Sequence, residues 1–204
     1  MKEFWEEKHR NKLVTYLSGH CGATVIKGLY IEPIIGALLG SSCEVLEIGV
    51  GLGICTRDLR DMGMHISCVD ISEEALRRVE KYCDRRFLSS KIDTLPTDFF
   101  DLAISFCVTQ HIDDAALSAQ LWEVIRSLKP EGIFAMQYAF AFYGSPLEQG
   151  RAQMEAGAVN RPIERMHQMV AEAGGRIVLS RVSSISPQFQ SGWGVIHIMK
   201  GFRG

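Results

Sequence analysis

Short apolar runs alternate with longer stretches of helical pattern along most of the chain. Each run is rich in β-branched or aromatic residues and is bounded by glycine, proline or polar residues, which is typical of strands. Strands that alternate with helices predict a mainly parallel sheet, because parallel neighbours need connections long enough to hold a helix. The predicted strands are Glu44–Ile48, Met64–Val69, Asp101–Phe106, Gly132–Tyr138, Arg176–Val182 and Trp193–Met199.

Two of the intervening stretches carry clear helix signals. Ser72 is predicted to cap a helix over Glu73–Asp84, whose first residues are acidic. Asn160 precedes a second helix over Ile163–Ala173, which Gly174 ends. The last two predicted strands have no helix between them, so we expect them to form an antiparallel hairpin at the edge of the sheet.

The length of the chain favours a single domain. Its 204 residues are 47% hydrophobic, enough to bury one substantial core. We therefore expect one domain over residues 1–204, with a core over 41–204. Residues 1–40 look like helical segments interrupted by Gly19, Gly22 and Gly28, and could cover the ligand edge of the sheet.

Charge and composition argue against several functional classes. The net charge of −2 and the pI near 6.3 give no basic excess for a nucleic-acid backbone, so no nucleic-acid partner is expected. No run of about 18 apolar residues is present, so we expect no membrane segment. The cysteines are widely spaced, which predicts neither a metal site nor a disulfide framework and favours reduced thiols in the cytoplasm. They lie at positions 21, 43, 55, 68, 83 and 107.

The strongest motif lies where the first predicted strand ends. The segment Val45–Ile54 runs from a buried strand into glycines at 49, 51 and 53, a turn that lets a ligand approach bare backbone. Asp70 ends the next strand, about twenty residues later, where an acid can hydrogen-bond both hydroxyls of a ribose. The spacing is GxGxG preceded by Glu47, rather than the GxGxxG of dinucleotide folds. An acid at that point repels pyrophosphate and suits a cation.

These motifs resemble those of the class I S-adenosylmethionine-dependent methyltransferases. The resemblance extends from about Cys43 to Lys200. It implies a Rossmann-like three-layer α/β sandwich, with a mainly parallel seven-stranded sheet and an antiparallel edge strand. Further segments agree with this family in order and spacing: Phe100–Phe106, Thr109–Asp113 and Leu128–Gly132.

The resemblance also implies a set of cofactor-binding residues. The glycine turn would receive the amino-acid part of S-adenosylmethionine, and Glu47 would order this loop or the ammonium group. Asp70 would hold the ribose, Ile71 would pack on adenine, and Asp93 would bind the adenine amino group. As alternatives, Glu47 and Asp70 could merely cap a helix or begin a turn. The full set is Glu47, Gly49, Gly51, Gly53, Asp70, Ile71, Asp93 and Phe106.

The acceptor side is less well defined. If the acceptor is a hydroxyl, His111 is the best-placed base, although it could instead line the loop without moving a proton. Tyr138 ends the predicted strand Gly132–Tyr138 and Tyr143 follows it, and both are candidates for substrate contact, although aromatic residues at such spacing more often pack in a core. Arginines at 151, 161 and 165 are either surface charges or contacts for an anionic acceptor.

The beginning of the chain offers one further hypothesis. Trp5, His9 and Tyr16 fall on one predicted amphipathic helix, which could close over the cofactor and exclude water. The alternative is a surface helix that docks by its apolar face and has no functional role.

The sequence therefore predicts methyl transfer from S-adenosylmethionine to a small-molecule acceptor, with oxygen favoured over nitrogen. Two alternatives are a non-catalytic subunit that binds S-adenosylmethionine and a nicotinamide-dependent oxidoreductase. The sequence leaves the acceptor and the oligomeric state open.

Overall fold

A computed structural model describes residues 2–10, 42–141, 159–186 and 191–201. These residues belong to two units, Met1–Thr94 and Leu95–Gly204, which are presented in turn. Most of the predicted N-terminal cap, with Tyr16, lies outside the described residues, and so do Tyr143 and Arg151.

The first unit is built on three parallel strands. β1 pairs with β2, and β2 pairs with β3, each in parallel register. Two helices, α2 and α3, pack on β2, and α1 packs on α3. The elements are α1 (Lys2–Arg10), β1 (Glu44–Ile48), α2 (Ile54–Asp61), β2 (His65–Asp70), α3 (Glu73–Val79), β3 (Arg85–Leu88) and a 3-10 segment (Ser89–Thr94).

Burial explains why β1 and β2 form the centre of this unit. Val45, Leu46 and Ile66 are fully buried, and both strands are apolar on both faces, as expected for parallel strands covered by helices. Ser72 caps α3 as predicted, because its hydroxyl accepts a hydrogen bond from the backbone N–H of Ala75 at 3.1 Å.

The second unit contains four strands in the order β4-β5-β7-β6. β4 and β5 are parallel, whereas β7 is antiparallel to both β5 and β6. The predicted hairpin therefore forms the edge of the sheet, with β7 as its reversed strand. The elements are β4 (Phe100–Ser105), a 3-10 turn (Thr109–His111), α4 (Asp114–Ser127), β5 (Leu128–Ala141), α5 (Ile163–Glu172), β6 (Gly175–Ser186) and β7 (Ser191–Lys200).

The predicted fold class is confirmed. The seven strands are mainly parallel with an antiparallel edge, and the helices lie between them in the chain, as in a Rossmann-like α/β fold. The prediction of one domain over residues 1–204 stays a prediction. None of the described helices has the length and apolar character needed to cross a bilayer.

Several elements differ from their predicted bounds, and one strand was not predicted. β3 was not predicted, because Arg85–Leu88 is short and begins with two exposed arginines. The helix predicted over Glu73–Asp84 ends at Val79, since the backbone N–H of Asp84 instead bonds Ile66 O at 2.7 Å. β5 begins at Leu128, before Pro130, because Leu128 pairs with Phe100 and the register then shifts.

Candidate functional site

The glycine turn follows β1 and adopts a backbone that favours glycine. Gly49, Gly51 and Gly53 have φ values of 76°, 51° and 71°. The Gly49 N–H bonds Val69 O at 2.8 Å, which ties the start of the turn to the end of β2. A Cβ built on Gly51 would meet no heavy atom within 4 Å. The turn therefore leaves open space next to the Cα of Gly51.

Asp70, the last residue of β2, faces this turn. Its Oδ2 accepts a hydrogen bond from the Gly51 N–H at 3.2 Å, and its Oδ1 accepts one from the Ser72 N–H at 2.9 Å. Burial raises the pKa of the Asp70 carboxyl, while these backbone donors oppose the shift. Each carboxylate oxygen has a second lone pair, so Asp70 can still accept hydrogen bonds from a ribose.

Glu47 lies beneath the turn rather than on its surface. It is 5% exposed, and its Oε2 accepts a hydrogen bond from the Thr56 hydroxyl at 2.6 Å. Burial raises the pKa of Glu47 to about 8, with a smaller repulsive contribution from Asp70. Glu47 thus ties β1 to α2 through Thr56, and its contact with the ammonium group of the cofactor stays a prediction. A cation nearby would favour its ionised form.

This pKa gives a prediction for stability. The folded protein holds a proton on Glu47 that the unfolded chain loses above about pH 4.5, so its free energy of unfolding falls as the pH rises towards 8. Glu47→Gln removes this loss while keeping an acceptor for Thr56. We expect the variant to lie within about 1 kcal/mol of wild type at pH 5 and to be more stable by roughly 3–5 kcal/mol at pH 8.

Urea denaturation at both pH values measures this difference. Glu131→Gln, at an exposed position, is the control and should change neither value. Equal free energies of unfolding for Glu47→Gln and wild type at pH 8 would contradict the raised pKa.

Two other predicted cofactor residues also lie in the first unit. Ile71 is half-buried directly after β2, next to the Asp70 carboxylate. Asp93 lies in the 3-10 segment Ser89–Thr94 with an exposed side chain. The structure therefore brings the glycine turn, Asp70 and Ile71 together at the end of β2, and the contact of Asp93 with adenine stays a prediction.

In the second unit, the loop after β4 is held by a buried glutamine. Gln137 of β5 uses its Oε1 to accept hydrogen bonds from the Cys107 N–H at 3.1 Å and from the Cys107 thiol at 3.3 Å. Cys107 has a φ of 58°, a left-handed conformation that costs a non-glycine residue energy. The Thr109 hydroxyl donates to Gln137 O at 3.1 Å. This loop is thus fixed in a strained conformation.

The same loop carries His111. Its Nε2 lies 3.1 Å from Nε2 of Gln110, whose side chain is buried. If Gln110 donates this hydrogen bond, Nε2 of His111 is the acceptor and its Nδ1 carries the proton. Gln110 Oε1 is buried and has no hydrogen-bond partner among the described residues. His111 is therefore a half-buried base candidate with a defined neighbour.

Arg161 fixes the loop from the other side. It is 3% exposed and donates from Nη1 to Thr109 O at 2.8 Å, from Nη2 to Ile112 O at 2.6 Å and from Nε to Asp114 at 2.8 Å. Arg165 contacts the same carboxylate at 3.2 Å but is more exposed. All three guanidinium nitrogens of Arg161 have protein partners, which favours a structural role over contact with an anionic acceptor.

The remaining predicted residues of this unit lie in different surroundings. Phe106 is half-buried at the end of β4. Tyr138 is 1% exposed, and its ring lies so close to Gly194 that a Cβ there would approach it to 2.6 Å. This placement favours core packing, and substrate contact by Tyr138 stays a prediction.

Sequence reasoning missed Thr56, Gln110, Gln137 and the structural role of Arg161. Their functions depend on partners that are distant in the chain, which periodicity does not reveal. Gln137 carried a weak signal, because it is a polar residue inside an apolar strand and such residues need a buried partner.

Comparison with known proteins agrees with this geometry. Residues 45–132 match the family model described as a methyltransferase domain, and this segment contains the glycine turn, Asp70 and His111. No curated protein matches the chain.

Solved structures show the same fold at low sequence identity. An S-adenosylmethionine-dependent methyltransferase of Methanosarcina mazei is 20% identical, with a TM-score of 0.67 over 84% of this chain and 98% of its own. The 1,6-didemethyltoxoflavin-N1-methyltransferase of Burkholderia thailandensis is 19% identical, with a TM-score of 0.64 over 95% and 87%. A Haloferax volcanii protein solved with the methyltransferase activator Trm112 is 14% identical, with a TM-score of 0.69 over 97% and 98%. Together, the motif, the family model and the fold identify residues 45–132 as matching a methyltransferase domain, within the fold of S-adenosylmethionine-dependent methyltransferases of known structure.

Proposed function

We propose that this methyltransferase acts on a small-molecule acceptor, with a hydroxyl oxygen as the first choice and a nitrogen as the second. The main support for cofactor binding is the position of Asp70. Its carboxylate accepts a hydrogen bond from the Gly51 N–H beside the open glycine turn. A fixed acceptor next to bare backbone suits a ribose and the amino-acid chain attached to it.

The residues of the first unit bind and orient. S-adenosylmethionine supplies a methyl group on a positively charged sulfur, which is already activated for transfer. Asp70 holds the ribose, the turn after β1 accommodates the amino-acid part, and buried Glu47 fixes the turn through Thr56. Good alignment of two reactants can supply roughly 7–11 kcal/mol, so binding geometry is the main contribution expected of the protein.

His111 is the base that we propose for a hydroxyl acceptor. A neutral imidazole accepts a proton near neutral pH. The loop after β4, which is strained at Cys107 and hydrogen-bonded by Arg161, holds His111 in a fixed place. For Nε2 to take the proton, the Gln110 amide must release it. An amine acceptor, which can enter the site with a free lone pair, would need His111 less.

The nitrogen alternative has support from a relative of the same fold. The Burkholderia thailandensis enzyme is an N1-methyltransferase, and it was crystallised with S-adenosylhomocysteine. The net charge of −2, with no basic excess, favours a small molecule over a nucleic acid.

Two steps test the proposal. Calorimetric titration with S-adenosylmethionine, S-adenosylhomocysteine and NAD should show binding of the two adenosyl ligands and none of NAD. Transfer of a radiolabelled methyl group is then measured on phenols, catechols, carboxylates and amines at matched concentration. Transfer to hydroxyl compounds supports the first choice and transfer to amines alone the second. Tight binding without transfer to any acceptor would favour a non-catalytic subunit.

His111→Ala should lower the turnover number on a hydroxyl acceptor about a hundredfold, because a general base contributes on the order of 10²–10⁴-fold. Affinity for S-adenosylhomocysteine should be unchanged. His111→Gln is the matched variant, since it keeps a polar side chain without a basic nitrogen. Turnover of His111→Gln close to wild type would show that His111 orients and does not move a proton.

A further inference from the structure

We propose that His9 of α1 is a further cofactor-binding residue, which hydrogen-bonds a ribose hydroxyl beside Asp70. This inference rests on the proposed function, because it assumes that Asp70 holds the ribose of S-adenosylmethionine. It assigns the beginning of the chain a direct part in binding.

α1 is held against the segment that follows Asp70. The Glu6 carboxylate accepts hydrogen bonds from the Ser72 hydroxyl at 3.1 Å, from the Glu73 N–H at 2.6 Å and from the Glu74 N–H at 3.3 Å. These donors lower the pKa of Glu6 and keep it ionised. Ser72 also donates its own N–H to Asp70. Glu6 is therefore connected to Asp70 through a single residue.

Two further contacts, one at each end, hold α1 in place. Arg78 Nη2 donates to the backbone oxygen of His9 at 2.5 Å, and Lys2 forms an ion pair with Glu73 at 2.7 Å. Residues 2, 6 and 9 are spaced so that they share one face of α1. The docked face thus ends at His9.

One ring nitrogen of His9 is buried without a hydrogen-bond partner among the residues that the structure describes. This atom is Nδ1, and His9 as a whole is 4% exposed. Buried polar atoms are rarely left unpaired, and leaving one unpaired costs about 1–3 kcal/mol. The ring packs on Trp5, with the two ring centroids 5.8 Å apart, so it cannot easily turn towards water. An unpaired nitrogen in this place points to a missing ligand.

The chemistry of the surroundings selects a hydroxyl as that ligand. The charged groups that act on His9 are Asp70, Arg78, Glu6 and Glu74, and burial lowers the pKa of the imidazole, which is therefore neutral at neutral pH. A neutral imidazole has one donor and one acceptor nitrogen, whereas the Asp70 carboxylate only accepts. A ribose hydroxyl can donate to Asp70 and at the same time accept from the N–H of His9.

The test is a titration of S-adenosylhomocysteine and of its 2′-deoxy and 3′-deoxy forms into wild type, His9→Phe and His9→Asn. Phenylalanine fills the space without a polar atom, and asparagine keeps a polar atom near the Nδ1 position. We expect His9→Phe to bind S-adenosylhomocysteine about tenfold more weakly and His9→Asn to stay within about threefold of wild type. Wild type and His9→Phe should bind equally well the one deoxy form that lacks the contacted hydroxyl. Glu7→Ala, on the exposed side of α1, is the control.

The outcomes separate this inference from the function on which it rests. Wild type that binds no S-adenosylhomocysteine overturns both. Wild-type affinity in His9→Phe overturns the inference alone. So does a loss in His9→Phe that is equal for all three ligands, because it would indicate a structural role in docking α1. Thermal unfolding without ligand shows that each variant is folded.

Discussion

Replacing Arg161 with alanine is expected to lower the free energy of unfolding by roughly 3–5 kcal/mol. The change removes a buried guanidinium, leaves Thr109 O and Ile112 O without their donors and opens a cavity beneath the loop. Each carbonyl that remains buried and unpaired costs on the order of 1–3 kcal/mol. Urea denaturation followed by circular dichroism measures the loss.

Arg165 provides a control on the same carboxylate. Arg165→Ala also removes an ion pair to Asp114, but the Arg165 side chain is 37% exposed and makes no contact with the loop carbonyls. Such a pair contributes about 0–1 kcal/mol. Arg161→Lys is a second comparison, because one ammonium group cannot replace three fixed guanidinium donors. Equal losses of unfolding free energy in Arg161→Ala and Arg165→Ala would contradict the structural role of Arg161.

The contacts of Arg161 matter for the proposed chemistry because they hold the loop that carries Gln110 and His111. The backbone N–H of Val159 also bonds Gln110 O at 2.6 Å, so residues 159–161 hold this loop at two points. A general base is effective only when its position relative to the acceptor is fixed. In the proposed function, Arg161 is thus a positioning residue for His111.

Much of the fold could be predicted because the central strands are apolar and the turns carry clear signals. β1 has the predicted bounds, Glu44–Ile48, because it is apolar and bounded by Ser42 and by the glycine turn. Ser72 caps its helix as expected, since the cap depends only on local sequence. β3 was missed because it is stabilised by pairing with β2, and its first two side chains are exposed arginines.

The candidate site likewise contains residues that the sequence predicts and residues that only the fold reveals. The places of Gly51 and Asp70 could be predicted because each residue follows or ends an apolar strand. Since β1 and β2 are parallel and end at the same edge, the two residues lie close enough to form a hydrogen bond. Glu6, Gln137 and Arg161 act through contacts between residues 28 to 68 positions apart. Their residue types are ordinary for a surface helix or a strand, so only the folded chain identifies them.

Two glycines of the turn should respond differently to the same substitution. Gly53→Ala is expected to cost roughly 2–5 kcal/mol of stability, because its Cβ would lie 2.4 Å from Val79 Cγ1 and the left-handed backbone adds strain. Gly51→Ala adds a methyl group to open space, so only the backbone strain of about 1–2 kcal/mol applies. Its methyl group would occupy the place that we assign to the cofactor. We therefore expect weaker binding of S-adenosylhomocysteine by at least tenfold in Gly51→Ala.

Urea denaturation and calorimetric titration of both variants separate the two effects. The double variant Gly53→Ala with Val79→Ala removes the clashing methyl group, so its loss should be smaller than the sum of the two single losses. Additive losses would mean that the clash is relieved by a shift of α3 rather than by Val79. Wild-type affinity in Gly51→Ala would place the cofactor elsewhere, since a ligand seated on this turn cannot share the space with an added methyl group.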